Sequence, residues 1–182
     1  MRMPLKLLAF VVLVVAILCS LMSCGPSMKP EDFASYAPRF IPEEYFSGKL
    51  KGQGMFYDRF ENVRMRFTID LEGSFDGEVL TLKENLLYET GEKLFREYRL
   101  RKLDQNTYRV ETADMPEPGT IVSYGNALRW SYRLKQKIGE SIWTLSFDDW
   151  MFLQQDGLVL NRAFASKWGF RVGEVFMVVQ KL

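Results

Sequence analysis

The stretch NVRMRFTIDL, residues 62–71, alternates without exception between polar and apolar side chains. Every odd-numbered residue from Val63 to Leu71 is apolar, and every even-numbered residue from Asn62 to Asp70 is polar. A strand turns successive side chains to opposite faces, whereas a helix does not place alternate residues on one face. This period therefore predicts a β-strand that is buried on one face only.

The same two-residue period recurs through the rest of the chain, for example at residues 128–134 and 143–147. Gly, Asn, Asp and Pro residues typical of tight turns separate these segments. We predict about nine strands and no long crossover helix. The predicted strands begin near Gly48, Asn62, Glu78, Glu92, Thr107, Thr120, Ser141, Leu158 and Val172.

Sequential strands joined by tight turns pair as an antiparallel meander, and a meander of eight or more strands tends to close because closure removes unpaired edges. The sequence therefore predicts an all-β fold, an up-and-down meander that closes into a lipocalin-like (calycin-type) barrel of about eight to ten strands. The alternatives are a strongly curved open sheet and a two-sheet sandwich. Such a barrel is either filled by side chains or holds one small-ligand cavity, and the composition does not distinguish the two.

One hairpin, in residues 80–100, can be aligned residue by residue. A three-residue loop that ends at Gly91 places glycine where a left-handed conformation is required. The facing pairs are then Leu80–Leu100, Leu82–Tyr98, Glu84–Arg96 and Leu86–Leu94. Six of these eight side chains are apolar or aromatic, so the face is expected to point inward with the Glu84–Arg96 ion pair. That pair is predicted to be either a structural salt bridge or an anchor for a ligand head group.

Asp149 is the second charged side chain that we expect inside the barrel. It follows inward-facing apolar residues in phase, whereas Asp148 points outward, so the two carboxylates are poorly placed to share a proton or a metal ion. A buried carboxylate needs a polar partner, and Asn161 or Arg162 on the next strand is expected to supply it. The group is interpreted either as a buried network that ties two strands together or as a catalytic acid.

The chain contains no histidine. This excludes Ser-His-Asp and Cys-His nucleophile systems and metal or haem ligation by histidine. Gly52-Gln53-Gly54 lies in a predicted strand and is interpreted as allowing barrel curvature rather than phosphate binding. We therefore predict no catalytic residue, metal site or cofactor. The candidate buried polar or ligand-binding residues are Glu84, Arg96, Tyr98, Trp130, Asp149, Asn161 and Arg162.

The N-terminal segment predicts export from the cytoplasm. Arg2 and Lys6 precede an uncharged run whose most apolar part, residues 7–18, has the length of a secretory signal peptide and is short for a membrane span. The alternative is an uncleaved signal anchor over residues 5–22. Both interpretations place the rest of the chain outside the cytoplasm, on a membrane surface.

The residues Leu21-Met22-Ser23-Cys24 resemble a bacterial lipobox. The resemblance implies cleavage before Cys24 and acylation of its sulfur, which would anchor the protein to a membrane. Cys19 does not fit, because the residue before it is the large Leu18. Gly25, rather than Asp, follows Cys24, and in the sorting pattern of such lipoproteins this implies the outer membrane of a Gram-negative envelope, facing the periplasm.

The chain is predicted to have three segments. These are a lipoprotein signal peptide over residues 1–23, a proline-containing tether over residues 24–46 and a β-barrel domain over residues 47–182. The tether is assigned because four prolines in it oppose both helix and sheet. The 24 Lys and Arg residues nearly balance the 23 Asp and Glu residues, so no nucleic-acid partner is predicted.

Four segments carry a resemblance to a known family. They are YFSGKLKGQGMFYDRF (45–60), GSFDGEVLTLKENLLYETGEKLFREYRL (73–100), SYGNALRWSY (123–132) and SFDDWMFLQQDGLVLNRAFASKWGFRVGEV (146–175). In them the chain resembles a family of bacterial lipoproteins, domain of unknown function 3833, which is lipocalin-like in outline. The resemblance implies no particular activity. It implies a lipid-related role, because members are often encoded near fatty-acid-modifying enzymes of the cyclopropane-synthase type.

The leading functional hypothesis is a membrane-tethered envelope lipoprotein that binds a lipid or other small hydrophobic ligand inside its barrel. The alternative is a structural or assembly lipoprotein with a filled barrel that binds another envelope protein. An enzyme ranks third, because only carboxylates and tyrosines remain as candidate acid and base groups.

Overall fold

A computed structural model describes residues 28–182 of the chain. The predicted signal peptide and Cys24 lie outside the described residues. A 3₁₀ turn (Pro30–Phe33) and a short helix α1 (Pro42–Tyr45) precede ten strands. The strands are β1 (Gly48–Asp58), β2 (Val63–Phe75), β3 (Val79–Tyr88), β4 (Lys93–Lys102), β5 (Thr107–Glu111), β6 (Gly119–Tyr124), β7 (Ala127–Ile138), β8 (Ser141–Leu153), β9 (Val159–Lys167) and β10 (Phe170–Lys181).

Each strand pairs antiparallel with the next one along the chain, and β1 pairs with β10 to close the barrel. The predicted all-β meander barrel is therefore confirmed. Neither helical segment within residues 28–182 has the length and apolar character needed to span a bilayer.

The alternation at residues 62–71 becomes a buried and an exposed face of β2. Phe67, Ile69 and Leu71 are buried in the core, whereas the polar residues between them are exposed. Burying a large apolar side chain contributes about 1.5–3 kcal/mol to folding, which makes this face the driving force for closure. Val63 shares the inward phase but lies at the end of the strand, and 39% of its surface is exposed.

One strand boundary is absent from the sequence prediction. No break is predicted between Thr120 and Ser141, but the chain turns at Gly125-Asn126 between β6 and β7. Gly125 has a φ of 52°, a left-handed conformation that glycine adopts without steric cost. Two residues of this type between alternating segments are a hairpin signal. The structure therefore has ten strands where we predict about nine.

The β3–β4 hairpin has the register that the sequence predicts. Leu86 faces Leu94, Leu82 faces Tyr98, Leu80 faces Leu100 and Glu84 faces Arg96. Gly91 has a φ of 85° and its N–H donates to the carbonyl of Tyr88 at 2.8 Å. The three-residue loop thus sets the register that turns Glu84 and Arg96 toward the interior.

Residues 30–46 are not a tether, which corrects the segment predicted over residues 24–46. They form an N-terminal cap that closes one end of the barrel. Phe40, Tyr45 and Phe46 are buried in the core and pack against one another with ring centroids 5.1–5.7 Å apart. The prolines do not prevent this, because two of them begin the 3₁₀ turn and α1, where a missing N–H has no cost.

Polar contacts hold the N-terminal cap in place. The Tyr45 hydroxyl donates to the carbonyls of Gly157, at 3.0 Å, and Val179, at 3.2 Å. The Tyr108 hydroxyl donates to Glu43 at 2.6 Å. On the outer wall, the 3₁₀ turn places Phe33 over Trp150 and Phe152, so Trp150 is buried although it points outward.

The barrel consequently has two unlike ends. At the closed end, the N-terminal cap covers the turns that follow β2, β4, β6 and β8. At the open end lie the turns that follow β1, β3, β5, β7 and β9. The candidate site lies inside the barrel, toward the open end.

Candidate ligand-binding cavity

A cavity of about 520 Å³ lies in the half of the barrel nearest the open end. The other half is filled by the core beneath the N-terminal cap. Fully buried side chains of this filled half include Phe40, Leu50, Leu80, Leu100, Ile121, Leu128 and Val159. The barrel is thus neither wholly filled nor wholly hollow, and the cavity volume lies in the range of small-molecule sites.

The cavity has an apolar wall. Strands β1, β2 and β10 contribute inward side chains without polar groups, and Ala163 on β9 leaves open space among them. The apolar wall is lined by Phe56, Met65, Phe67, Val175 and Met177. Gly54 lets the Phe67 ring pack directly against β1, since a Cβ at this position would lie 2.7 Å from that ring.

The facing wall is polar and aromatic, and it begins with the predicted ion pair. Nη1 of Arg96 lies 3.6 Å from Oε1 of Glu84; the Arg96 side chain is buried, and 14% of the Glu84 side chain is exposed. Nε of Arg96 also donates to Asp114 at 3.2 Å. Burial raises the pKa of Glu84 to about 7 and outweighs the opposing effect of the Arg96 charge. Near neutral pH the Glu84 carboxyl therefore exchanges between a hydrogen-bond donor and an acceptor.

Asp149 is the second carboxyl in this wall. Nδ2 of Asn161 donates to it and, at 3.3 Å, to the carbonyl of Trp150. Burial raises the pKa of Asp149 to about 7, and the negative charges of Asp148 and Glu84 add to the rise. No cation within residues 28–182 forms an ion pair with Asp149, so this carboxyl is buried without a compensating charge.

The structure contradicts the prediction for Arg162. Its side chain lies on the outer face of β9, where Nη2 contacts Oε2 of Glu174 at 3.0 Å and more than half of the side-chain surface is exposed. Asn161 points inward, and the two-residue period of the strand requires its neighbour to point outward. Asn161 alone therefore pairs with Asp149. Asp148 does point outward, as predicted, and binds Arg129.

Aromatic rings complete the polar wall. The Trp130 ring contacts Tyr98 at a centroid distance of 5.1 Å and Tyr132 at 4.8 Å. Tyr132 in turn stacks on Phe147 at 5.0 Å with an interplanar angle of 9°. Burial raises the pKa values of Tyr98 and Tyr132 well above the usual range. Both phenols are therefore neutral hydrogen-bonding groups at physiological pH.

The indole N–H of Trp130 is buried and has no hydrogen-bond partner among residues 28–182. A buried donor without a partner costs about 1–3 kcal/mol of folding free energy. This nitrogen lies beside β6, since a Cβ at Gly119 would be 3.2 Å from it. The predicted residues Glu84, Arg96, Tyr98, Trp130, Asp149 and Asn161 thus lie in one wall of one cavity.

Tyr132 and Asp114 lie in this wall but are absent from the predicted site residues. Tyr132 has the same inward phase as Trp130, so the alternation itself could have identified it. Asp114 lies in the loop between β5 and β6, where no periodic pattern indicates which side chains reach the interior. Within the described residues, no group of three or more Asp, Glu or Cys side chains is arranged to hold a metal ion.

These features define a lipocalin-like barrel with an internal, half-polar cavity. The chain belongs to the family described as Protein of unknown function (DUF3833), whose model matches residues 18–181. Among solved structures it is similar to the S-type phycobiliprotein lyase CPES from Guillardia theta. The TM-score is 0.53 and the sequence identity 7%, over 75% of this chain and 86% of the lyase chain. At this identity the likeness supports the fold alone. No curated protein matches the sequence significantly.

Proposed function

We propose that this protein binds a small amphipathic molecule of lipid type inside its barrel. The observation that carries this proposal is the cavity of about 520 Å³, which joins an apolar wall to a polar one. The apolar body of the ligand would lie against Phe67 and Met177. Its polar head group would meet Glu84, Arg96 and Asp149. The cavity favours this function over the filled-barrel alternative.

The electrostatics of the polar wall support a head group that both accepts and donates hydrogen bonds. Glu84 and Asp149, with pKa values of about 7, supply a proton or an acceptor oxygen at neutral pH. Arg96 and the neutral phenols of Tyr98 and Tyr132 supply donors. A carboxylic acid or a hydroxyl group satisfies this set, whereas a bulky, highly charged group would have to be desolvated in a narrow space.

Ligand binding is tested with cis-parinaric acid, a fluorescent fatty acid, and with a chain that begins at residue 28. All strands and the N-terminal cap lie within residues 28–182, so this chain contains the whole described fold. We expect saturable fluorescence enhancement with the parent chain. Ala163→Phe, which fills the cavity, should weaken binding at least about tenfold, since the occupied volume is no longer available.

Ser131→Phe is the matched control, because Ser131 is exposed on the outer face of β7 and the substitution adds the same ring outside the cavity. It should bind like the parent chain. If Ala163→Phe does not fold, as judged by circular dichroism, Ala163→Leu takes its place. Equal affinity in the filled and control variants would overturn the proposal.

The lipoprotein assignment is part of the same proposal and rests on the lipobox-like residues before Cys24. We propose that acylated Cys24 anchors the barrel to the periplasmic face of the outer membrane. Substitution of Cys24 by Ala in the full chain should abolish labelling by radioactive palmitate and leave the precursor uncut. Continued processing of that variant would refute the assignment.

A further inference from the structure

The open end of the barrel carries an unusual number of exposed apolar side chains. They lie on three neighbouring hairpins, β1–β2, β9–β10 and β7–β8, which are adjacent around the barrel. We define the apolar rim as Phe60, Val63, Ile138, Ile142, Trp143, Trp168 and Phe170. Trp168 is 86% exposed and Phe170 76%. Side chains this exposed contribute little to the core and leave a large apolar surface in water.

Trp168 occupies a position that the turn itself does not favour. It has a φ of 52° and is followed by Gly169 with a φ of 82°, so both central residues of the β9–β10 turn are left-handed. Such turns prefer Asn, Asp or Gly, and a bulky residue at positive φ is uncommon. The indole therefore serves neither the turn nor the core, which indicates a role outside the folded domain.

The charges of the mouth are divided in the same way as its apolar side chains. Basic residues accompany the apolar rim, and Nζ of Lys167 lies 3.3 Å from the Trp143 ring centroid and 4.6 Å from that of Trp168. The other basic residues are Arg59, Arg64, Lys137 and Arg171, and the acidic residues at the same hairpin ends are Asp58, Glu61 and Glu140. The two opposite hairpins, β3–β4 and β5–β6, carry Glu89, Glu92, Asp114 and Glu117 with the single basic residue Lys93. The net charge is therefore positive on the rim side of the mouth and negative on the opposite side.

We propose that the apolar rim docks on an anionic lipid bilayer and directs the cavity mouth toward the lipid. Tryptophan and lysine side chains at exposed tips are favoured at the boundary between head groups and acyl chains, and nearby basic residues are attracted to anionic lipids. The acidic half of the mouth would stay in water, so the barrel docks tilted. Cavity residues Ile138 and Ile142 belong to the rim, which makes the path from bilayer to cavity continuous.

A bilayer fits the rim better than a protein partner does. The rim residues project from separate hairpin tips and are not packed into one flat patch, whereas stable protein interfaces have a closely packed apolar centre. Separate tips can each enter a fluid head-group layer. The transfer of a ligand through the mouth rests on the proposed function, but docking on lipid does not depend on it.

The test uses the chain that begins at residue 28, because it lacks the apolar N-terminal segment, which would itself enter a membrane. The probe is a vesicle of phosphatidylglycerol and phosphatidylethanolamine, and the measurement is co-flotation. We expect the chain to float with these vesicles and to bind phosphatidylcholine vesicles less well. The double variant Trp168→Ala, Phe170→Ala should reduce partition at least about tenfold.

Phe95→Ala is the matched control, since Phe95 is 56% exposed on the outer wall of β4 and lies outside the rim. It should float like the parent chain. Failure of the parent chain to float, or an equal loss in Phe95→Ala, would overturn the docking proposal. The rim variant should still bind cis-parinaric acid in solution. This measurement tests the cavity without vesicles, so it distinguishes failure of docking from failure of ligand binding.

Discussion

At the scale of single residues, the two-residue period of a strand decides which charges are buried. Asp148 and Asp149 are adjacent in the chain. Asp148 binds Arg129 on the outer wall of the barrel, whereas Asp149 is buried inside it with Asn161. In the same way, Asn161 points into the barrel and its neighbour Arg162 points outward. Two aspartate side chains one position apart are therefore in opposite environments, one partly in water and one buried.

The buried Asp149 should make the protein less stable as the pH rises. Its pKa is about 7 in the folded protein and near the usual 3.8 in the unfolded chain. Between these values the folded protein binds the proton more tightly, so the free energy of unfolding falls from about pH 4 to pH 7 and then levels off. Glu84, with a raised pKa of about 7, acts in the same direction.

We therefore predict that Asp149→Asn raises the free energy of unfolding at pH 8, on the order of 2 kcal/mol, and has a smaller effect at pH 4. Urea denaturation at both values measures this. Asp148→Asn is the control; it removes a half-exposed ion pair and should cost no more than about 1 kcal/mol. It should leave most of the pH dependence in place, because burial is the larger cause of the raised Asp149 pKa and the Asp148 charge a smaller one. A loss of stability in Asp149→Asn at pH 8 would contradict the prediction.

At the scale of secondary-structure elements, the N-terminal cap is the least expected part of the fold. Its prolines indicate an extended segment, but the aromatic residues between them are buried. The cap approaches β2 so closely at Gly73 that only glycine fits, because a Cβ there would lie 1.9 Å from the carbonyl oxygen of Phe46. The cap is therefore part of the core and seals the end opposite the cavity mouth.

Phe40→Ala should destabilise the protein strongly. Only 1% of the Phe40 surface is exposed, and loss of a buried phenylalanine costs about 3–5 kcal/mol. Thermal unfolding measures the change. Tyr36→Ala, in the same segment but 58% exposed, should have a much smaller effect. Equal and small shifts in the two variants would mean that residues 30–46 behave as a tether after all.

At the scale of the whole molecule, closure of the barrel is set by the pairing of the first and last strands. Residues 50–58 of β1 pair with residues 173–181 of β10, so neither strand has an unpaired edge. The half beneath the cap is filled by buried side chains that stabilise the fold. The half nearest the open end contains the cavity. This division places the cavity and the apolar rim at one end of a single closed wall.

Hydrogen exchange should report this closure. We predict that backbone amides along β1 and β10 exchange as slowly as those in the middle of β3, because all of them donate within the sheet. Exchange measured by NMR or mass spectrometry distinguishes this from a curved open sheet, in which alternate amides of the two edge strands face water. Rapid exchange along β1 would be evidence for such an open edge.

The sequence by itself determined the strand period, the turns and the β3–β4 register, because each depends on residues close together in the chain. The inward phase of Glu84, Arg96 and Asp149 follows from the same local rule. That period also requires Asn161 and Arg162 to point in opposite directions. Only the tertiary structure decided that Asn161 is the one that faces Asp149, that residues 30–46 cap the barrel, and that a cavity remains. These features depend on how distant strands meet and how completely their side chains fill the enclosed volume, which no local pattern encodes.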